Sequence, residues 1–321
     1  MKRTIHRLCI AILSLYFFST TAIAARLLIP GGQVIGLELS AGSVTVAAFD
    51  DSISAGRDAG LRIGDRIVSI DGKDIACAED VRRALNVSQG SVDILVHRDG
   101  KEITIHMEPA ISTGGPRMGV YLRQGITGIG TVTFYDPQTH TFGTLGHGVN
   151  DAKGNLLPMN RGSAYTADII SVQKGKAGQP GQLKGALDGA QLLGTLTGNT
   201  EQGVFGKTTT DWDGKILPCA EYGQIHAGRA TIRSTVSDGD PRDYSVEILK
   251  IYSKDRSDGR NFLLKITDPA LLSATGGIVQ GMSGSPIIQN GKLVGAVTHV
   301  LVNDPTRGYG IFIENMLEAA S

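Results

Sequence analysis

Short runs rich in Val, Ile and Thr alternate with glycine-rich turns along most of this chain. Glycine supplies 43 of the 321 residues, whereas aromatic residues make up only 5%. β-Branched residues favour strands, and glycine permits the backbone angles that tight turns between strands require. The pattern therefore indicates a mainly β fold, and the length suffices for two domains with separate cores.

The balance of charge excludes several function classes. The 31 Lys and Arg residues match the 31 Asp and Glu residues, and no basic stripe is evident in the sequence. A nucleic-acid partner is therefore not expected. The sequence contains no phosphate-binding or dinucleotide-binding glycine motif and no Cys/His spacing typical of zinc sites. Neither a cofactor nor a metal is expected.

Residues 1–25 have the features of an export signal. Met1–Arg7 is basic, Leu8–Phe18 is apolar, and Ala22-Ile23-Ala24 forms a small-residue cleavage site. We expect export with cleavage after Ala24, or retention of residues 1–25 as a membrane anchor if the segment is not cleaved.

A dense motif lies between Ala59 and Gly72, where the sequence reads Ala-Gly-Leu-Arg-Ile-Gly-Asp-Arg-Ile-Val-Ser-Ile-Asp-Gly. Apolar positions at helical spacing predict a helix over Ala78–Leu85, and Asp99-Gly100 predicts a hairpin. This unit resembles a bacterial PDZ domain. The resemblance implies a groove in which an extended peptide is added as a strand to a sheet edge.

The resemblance also sets the expected domain boundaries and groove residues. We assign residues 26–110 to the PDZ domain, 111–117 to a linker, and 118–321 to a second domain. The groove is expected between the strand that contains Ile35, Gly36 and Leu37, whose amides would receive a terminal carboxylate, and Val81 on the helix.

The second domain contains the loop Gly281-Met282-Ser283-Gly284-Ser285-Pro286, followed by a strand-like run. A serine between glycines on a tight loop suits a nucleophile. The flanking glycines allow the amides of Gly281 and Ser283 to point at a developing oxyanion. An ordinary turn rich in small residues is the alternative interpretation of the same loop.

A histidine in a similar setting, His147, lies far upstream in Leu145-Gly146-His147-Gly148. A general base must approach the nucleophile to about 3 Å, and small neighbours permit that approach. His299, on the strand after the serine loop, competes with His147 for this role.

A third group should orient the imidazole. Asp268, which precedes a proline, is the first candidate, although an Asp before Pro also opens turns. The acidic residues that remain as alternatives are Asp151, Asp188, Asp211 and Asp213.

The chain from Leu28 to Ile313 resembles the SpoIVB-type sporulation serine peptidases. The matching segments are Ile29-Pro30-Gly31-Gly32-Gln33, Leu145–Gly148, and Gly277 through Thr306. The resemblance implies a chymotrypsin-like double β-barrel after the PDZ domain, with Ser283 as nucleophile, His147 as base and Asp268 as third member. Asp268 lies nearer to the serine than chymotrypsin-like enzymes usually place this residue.

The resemblance further implies an exported endopeptidase that acts between the forespore and mother-cell membranes during endospore formation. Its implied partners are a protein that regulates a membrane-embedded protease, whose cleavage triggers processing of a sigma-factor precursor, and the enzyme itself, through the PDZ domain and self-cleavage. A non-catalytic PDZ adaptor on a protease-like fold is the rival hypothesis. An esterase is disfavoured because no nucleophile elbow of the Gly-x-Ser-x-Gly type opens a helix here.

Overall fold

The computed structural model describes residues 26–88, 90–151, 154–186, 190–237, 239–256 and 258–321. The strands of the first half are β1 Leu27–Pro30, β2 Val34–Ser40, β3 Val44–Phe49, β4 Arg66–Ile70, β5 Lys73–Asp74, β6 Val92–Arg98, β7 Lys101–Met107, β8 Ala110–Ser112, β9 Gly115–Arg117, β10 Val120–Arg123, β11 Ile126–Asp136 and β12 Thr141–Thr144. Those of the second half are β13 Arg161–Thr166, β14 Asp168–Gln173, β15 Gln182–Ala186, β16 Leu192–Thr200, β17 Gly203–Lys207, β18 Leu217–Pro218, β19 Gly228–Ser234, β20 Arg242–Ile251, β21 Phe262–Ile266, β22 Pro286–Gln289, β23 Lys292–Leu301 and β24 Asp304–Phe312. The helices are α1 Ala55–Asp58, α2 Ala78–Val87, α3 Pro269–Thr275 and α4 Ile313–Ala319, with a 3₁₀ turn at Tyr222–Gln224.

Six strands close the first barrel in the order β12-β17-β16-β13-β2-β11, because β11 also pairs with β12. β1 and β18 extend the sheet beyond β11. Aromatic residues fill much of the interior: Tyr135 and Phe142 are fully buried, and each stacks on Trp212. Such stacked pairs add to the stabilisation that burial provides.

A second closed barrel follows in the order β19-β20-β21-β24-β23-β22. Its core contains Phe262 and Phe312, whose rings meet edge to face with centroids 4.5 Å apart. The two barrels confirm the mainly β, chymotrypsin-like double-barrel architecture that the sequence predicts.

The PDZ unit is inserted into the first barrel between β2 and β11. Its sheet has the order β10-β3-β4-β6-β7, with β5 paired to β4, and its separate core is formed by residues between Val44 and Leu122. A buried ion pair joins Arg98 to Asp65 at 2.6 Å. Burial opposes the charge on Asp65, but hydrogen bonds from Arg98 and from the Arg62 amide hold its pKa below the usual value.

This insertion corrects the domain boundaries expected from the sequence. The sequence predicts residues 26–110 as the PDZ domain, but β2 pairs with β11 on one edge and with β13 on the other, inside the first barrel. Residues 111–117 are not a linker, because they contain most of the β8–β9 hairpin. The PDZ unit continues to β10, which pairs with β3.

The predicted signal or anchor segment, residues 1–25, lies outside the described residues. Among the residues that the structure does describe, no helix is both long and apolar enough to cross a membrane.

The corrected boundaries predict which fragments of the chain fold on their own. Residues 41–124 contain the whole PDZ sheet and its core, so this fragment should fold alone and show cooperative unfolding by circular dichroism. Residues 118–321 lack β2, the strand between β11 and β13, so the first barrel cannot close. That fragment should be insoluble or lack cooperative unfolding. A cooperatively folded 118–321 fragment would restore the boundary expected from the sequence.

Candidate active site

The loop around Ser283 adopts a conformation that glycine permits. Gly281 and Gly284 have φ angles of +98° and +97°, in the left-handed region that other residues avoid. Gly284 also lies so close to the Thr131 carbonyl that a Cβ atom would overlap it. Both glycines therefore have a physical reason to flank the serine.

Threonines of the first barrel hold this loop of the second barrel in place. The Thr131 hydroxyl donates to the Gly281 carbonyl at 2.7 Å, and the Thr131 amide donates to the Ser283 carbonyl at 3.0 Å. The Thr133 hydroxyl donates to the Gly284 carbonyl at 2.8 Å. Sequence reasoning missed both threonines, because these contacts join positions about 150 residues apart and no local pattern marks them.

The loop leaves two amides available. The Met282, Gly284 and Ser285 amides donate to the carbonyls of Val279, Val297 and Met282. Within the described part of the chain, the amides of Gly281 and Ser283 make no such bond. These are the two donors that the sequence predicts for an oxyanion hole.

A sharp turn after β12 positions His147. Leu145 and Gly146 have φ angles of +67° and +70°, and Gly146 packs closely against Thr298 and Ile311 of the second barrel. The His147 Nδ1 atom lies 2.9 Å from the Gly148 carbonyl oxygen. Because a carbonyl can only accept, Nδ1 carries the proton in this arrangement, and Nε2 keeps the lone pair that a general base needs.

Ser283, His147 and His299 line one cleft of about 420 Å³ between the barrels. The two imidazole ring centroids are 5.2 Å apart. Burial lowers the pKa of His147, against a smaller opposing effect of the Gly148 carbonyl. Burial, with the adjacent His147 as a lesser cause, lowers the pKa of His299 to about 4. Both rings are therefore neutral near pH 7.

The Ser283 hydroxyl donates to the Thr298 carbonyl at 2.8 Å. A hydroxyl has one proton to donate, so it does not donate to His147 in this conformation. By contrast, Ser285 is fully buried, and its hydroxyl donates to Ser234. Of the two serines in the loop, only Ser283 lines the cleft.

Asp268 lies elsewhere, at the N-terminus of α3. Its carboxylate accepts hydrogen bonds from the amides of Ala270 at 2.9 Å, Leu271 at 3.1 Å and Ser245 at 3.2 Å. It is an N-cap with proline at the first helical position, which is the arrangement that an Asp-Pro pair favours. The structure therefore does not bring Asp268 to His147.

The alternative acids are also engaged or placed elsewhere. The Asp151 carboxylate accepts from the Asn155 amide, and Asp211 contacts Tyr135 and His140. Asp213 lines a different cavity, beside Trp212, and Asp188 lies outside the described residues. No carboxylate of the described chain lines the cleft.

A separate two-stranded hairpin, β14–β15, packs against the serine loop. The Gln280 amide donates to the Gly181 carbonyl at 2.9 Å, and the Leu183 amide donates to the Gln280 carbonyl at 2.8 Å. The Leu183 side chain covers the space beside Gly281. This hairpin thus fixes the backbone immediately before Gly281, and the sequence alone gave no sign of its role.

The peptide groove of the PDZ unit lies at a different strand from the one expected. Ile35, Gly36 and Leu37 are on β2, where both strand edges are already paired, so they cannot receive a peptide. Val81 does line a groove, of about 380 Å³, between α2 and β10. β10 is an edge strand of the PDZ sheet, which is the position that strand addition requires.

The fold and the cleft define the class of protein: a serine peptidase that carries a PDZ domain. The family model of the SpoIVB peptidase S55 matches residues 114–317, and a PDZ-domain model matches residues 53–98. The chain belongs to the SpoIVB peptidase S55 family.

Other similarities are partial. The chain is 38% identical over 87 residues to a protein of Rhizobium meliloti and 38% identical over 79 residues to one of Agrobacterium fabrum, both named as zinc metalloproteases. These matches cover 27% and 24% of this chain but only 23% and 21% of the relatives, so the chain spans less than a quarter of their length. The inactive form of the Rv3671c protease of M. tuberculosis is 13% identical, with a TM-score of 0.35 over 60% of this chain and 84% of that one.

Substitutions at Asp268 distinguish a helix-capping role from a catalytic role. Asn caps helices about as well as Asp, whereas Ala does not. Asp268→Ala should lower the free energy of unfolding by about 1 kcal/mol, and Asp268→Asn should lower it far less, as measured by urea denaturation. Asp268→Asn should keep kcat within about tenfold, whereas a triad aspartate would lose about 10⁴. A loss of about 10⁴ in kcat in Asp268→Asn, with an unchanged free energy of unfolding, would show that Asp268 is a catalytic residue.

Proposed function

We propose that Ser283 is the nucleophile and His147 the general base of an endopeptidase, acting as a pair to which no carboxylate of the described residues contributes. The observation that carries the proposal is that Ser283 and His147 line the same cleft between the barrels. The amides of Gly281 and Ser283, on the same loop, donate to no backbone carbonyl of the described chain. The Gly148 carbonyl takes the orienting role that an acid has in a triad, because it accepts from Nδ1.

The chemistry then runs in two stages. Nε2 of His147 takes the Ser283 proton as Oγ bonds to the substrate carbonyl carbon, and the carbonyl electron pair moves to its oxygen, which the two amides stabilise. The C–N bond breaks as His147 gives its proton to the leaving amine. His147 then takes a proton from a water molecule as the water oxygen bonds to the acyl carbon. The bond from that carbon to Ser283 Oγ breaks, and His147 returns the proton to Oγ, which restores the serine. The lowered pKa of His147 keeps the base neutral to lower pH than an ordinary imidazole.

The biological role that we propose is the one implied by the resemblance. The enzyme is exported and acts outside the cytoplasm, during endospore formation, on a protein that regulates a membrane-embedded protease. Its cleavage triggers processing of a sigma-factor precursor. The PDZ groove between α2 and β10 holds that target, or a second copy of the enzyme for self-cleavage. Family membership and the N-terminal sequence of residues 1–25 support this role. A test is whether the purified enzyme cleaves the extracytoplasmic part of such a regulator while Ser283→Ala does not.

Ser283→Ala and His147→Ala should both abolish peptide hydrolysis, and the double variant should be little worse, because the two residues act as one unit. Removing a serine nucleophile typically lowers kcat by on the order of 10⁶. The measurement is kcat on a peptide substrate, combined with labelling by a fluorophosphonate probe.

Ser285→Ala is the matched control, since its buried hydroxyl contacts only Ser234 among its described partners. It should retain labelling. The rival adaptor hypothesis predicts that the unaltered chain is not labelled. Activity in Ser283→Ala with loss in Ser285→Ala would contradict the proposal, and loss in His299→Ala with full activity in His147→Ala would transfer the base to His299.

The PDZ groove generates a separate prediction. Val81 is 4% exposed at the groove, whereas Val87, on the same helix, is 61% exposed and does not line it. Val81→Trp should block the added strand and slow cleavage of the protein target, yet leave probe labelling of Ser283 unchanged. Val87→Trp should change neither. Equal loss of labelling and target cleavage in Val81→Trp would mean that the PDZ unit supports the fold and does not select the target.

A further inference from the structure

The cleft at Ser283 has two aliphatic walls. The first barrel supplies Leu37, Leu39, Ile126, Ile129, Leu145 and Val149, and the second barrel supplies Ile278, Val279 and Val300. Among the described residues, no Asp, Glu, Lys or Arg lines the cleft. A substrate side chain that enters it therefore loses water and meets hydrocarbon.

The polar groups of the cleft do not offset that loss for a charged side chain. His147 and His299 are neutral near pH 7, because burial lowers the pKa of each. Moving an ion into such surroundings without a partner is strongly unfavourable in proteins. An aliphatic side chain is instead stabilised there, because its apolar surface is removed from water.

A strand edge at Ser283 shows where the substrate backbone lies. β23 pairs with β22 only as far as Pro286 opposite Ala296, and with β24 along its other edge. In the described chain, the segment Thr298–Val300 has no strand neighbour on the edge beside the serine loop. The Thr298 carbonyl on this edge points at the Ser283 hydroxyl. A substrate N–H that donates to the Thr298 carbonyl would replace the Ser283 hydroxyl as its donor. The Ser283 hydroxyl could then donate to His147.

A peptide added at this edge places the side chain on the acyl side of the scissile bond between Val300 and the segment Ile278–Gly281. The floor there is also aliphatic. Gly308 has no side chain, and a Cβ atom at that position would come within 2.5 Å of Ile278 Cδ1. Ile278 thus fills the space beneath Val300, which leaves an uncharged pocket with Val300 on one side, Ile278 at its base and Gln280 as its one polar side chain among the described residues of the segment Ile278–Gly281.

We propose that this peptidase selects an uncharged aliphatic side chain on the acyl side of the scissile bond, with Val300 and Ile278 as the residues that determine this specificity. The proposal rests on the assignment of Ser283 as nucleophile. Its substrate class is an extended peptide segment with aliphatic residues at the cleavage point, and segments with Lys, Arg, Asp or Glu at that position are excluded.

The test uses the full chain and a peptide library that varies only the residue before the scissile bond. Val, Leu, Ile and Ala should exceed Lys, Arg, Asp and Glu by at least about 100-fold in kcat/KM, since a charged side chain that enters an apolar pocket without a partner is strongly disfavoured. Val300→Glu should raise the rate on Lys and Arg relative to Val by at least about tenfold, through a new carboxylate in the pocket. Val302→Glu, in the exposed turn directly after β23, should leave the preference unchanged.

Val300→Ala keeps the test decisive if Val300→Glu does not fold, because it enlarges the pocket and should shift preference from Val and Ala toward Phe. A labelled, active enzyme that prefers charged residues, or equal shifts in Val300→Glu and Val302→Glu, would overturn the proposal. Absence of both hydrolysis and fluorophosphonate labelling in the unaltered chain would instead refute the assignment of Ser283 on which the proposal rests.

Discussion

The contact between strand β11 and the serine loop is the constraint on which the rest of the structure depends. A catalytic serine at a barrel interface needs a fixed backbone, because its oxyanion donors act only if they are oriented before the reaction. Here Thr131 and Thr133 of the first barrel bind the carbonyls of Gly281, Ser283 and Gly284 of the second. These bonds engage the loop carbonyls with the first barrel, so the conformation of the serine loop depends on both barrels being folded and in contact.

The same dependence explains why the chain needs β2, although the inserted PDZ unit, within residues 41–125, separates β2 from β11 in the sequence. β2 pairs with the first half of β11, while β1 and β12 pair with its second half. Without β2, the strand that carries Thr131 would lose the partner that sets its register. The insertion thus separates in sequence two strands that lie side by side in space, and the long-range pairing raises the loop-closure cost of forming the first barrel.

Local patterns in the sequence predicted what local physics determines. The helix at α2, the Asp99-Gly100 hairpin and the glycines around Ser283 follow from neighbouring residues, and Val81, which the sequence predicts at the groove, lines the groove between α2 and β10. The prediction that Val34–Leu39 forms one side of the peptide groove is wrong, because this strand belongs to the first barrel. A strand with alternating side chains fits a barrel and a PDZ sheet equally well, and only its pairing partners distinguish the two. Asp268 is the first candidate for the third catalytic group in the sequence and the family resemblance strengthens that assignment, whereas the structure shows a helix cap, which an Asp before Pro favours. The threonine contacts and the β14–β15 hairpin depend on the fold as a whole, so no segment of sequence contained them.

The join between the PDZ unit and the cleft bears on how peptide recognition is connected to cleavage. β10, the edge strand of the groove, runs through Gln124 and Gly125 into β11, whose first residues line the cleft. A conformational signal along this path would need a second arrangement of β11, because coupling between sites is a free-energy difference between two states. β11 is held by β2, by β12 and by the threonine bonds to the serine loop, so any second arrangement would have to break several of these contacts at once. Tethering needs no such rearrangement: a target held on β10 is present near the cleft at a raised effective concentration. The rigidity of β11 therefore favours a PDZ unit that delivers substrate to a prepared site over one that switches the site on.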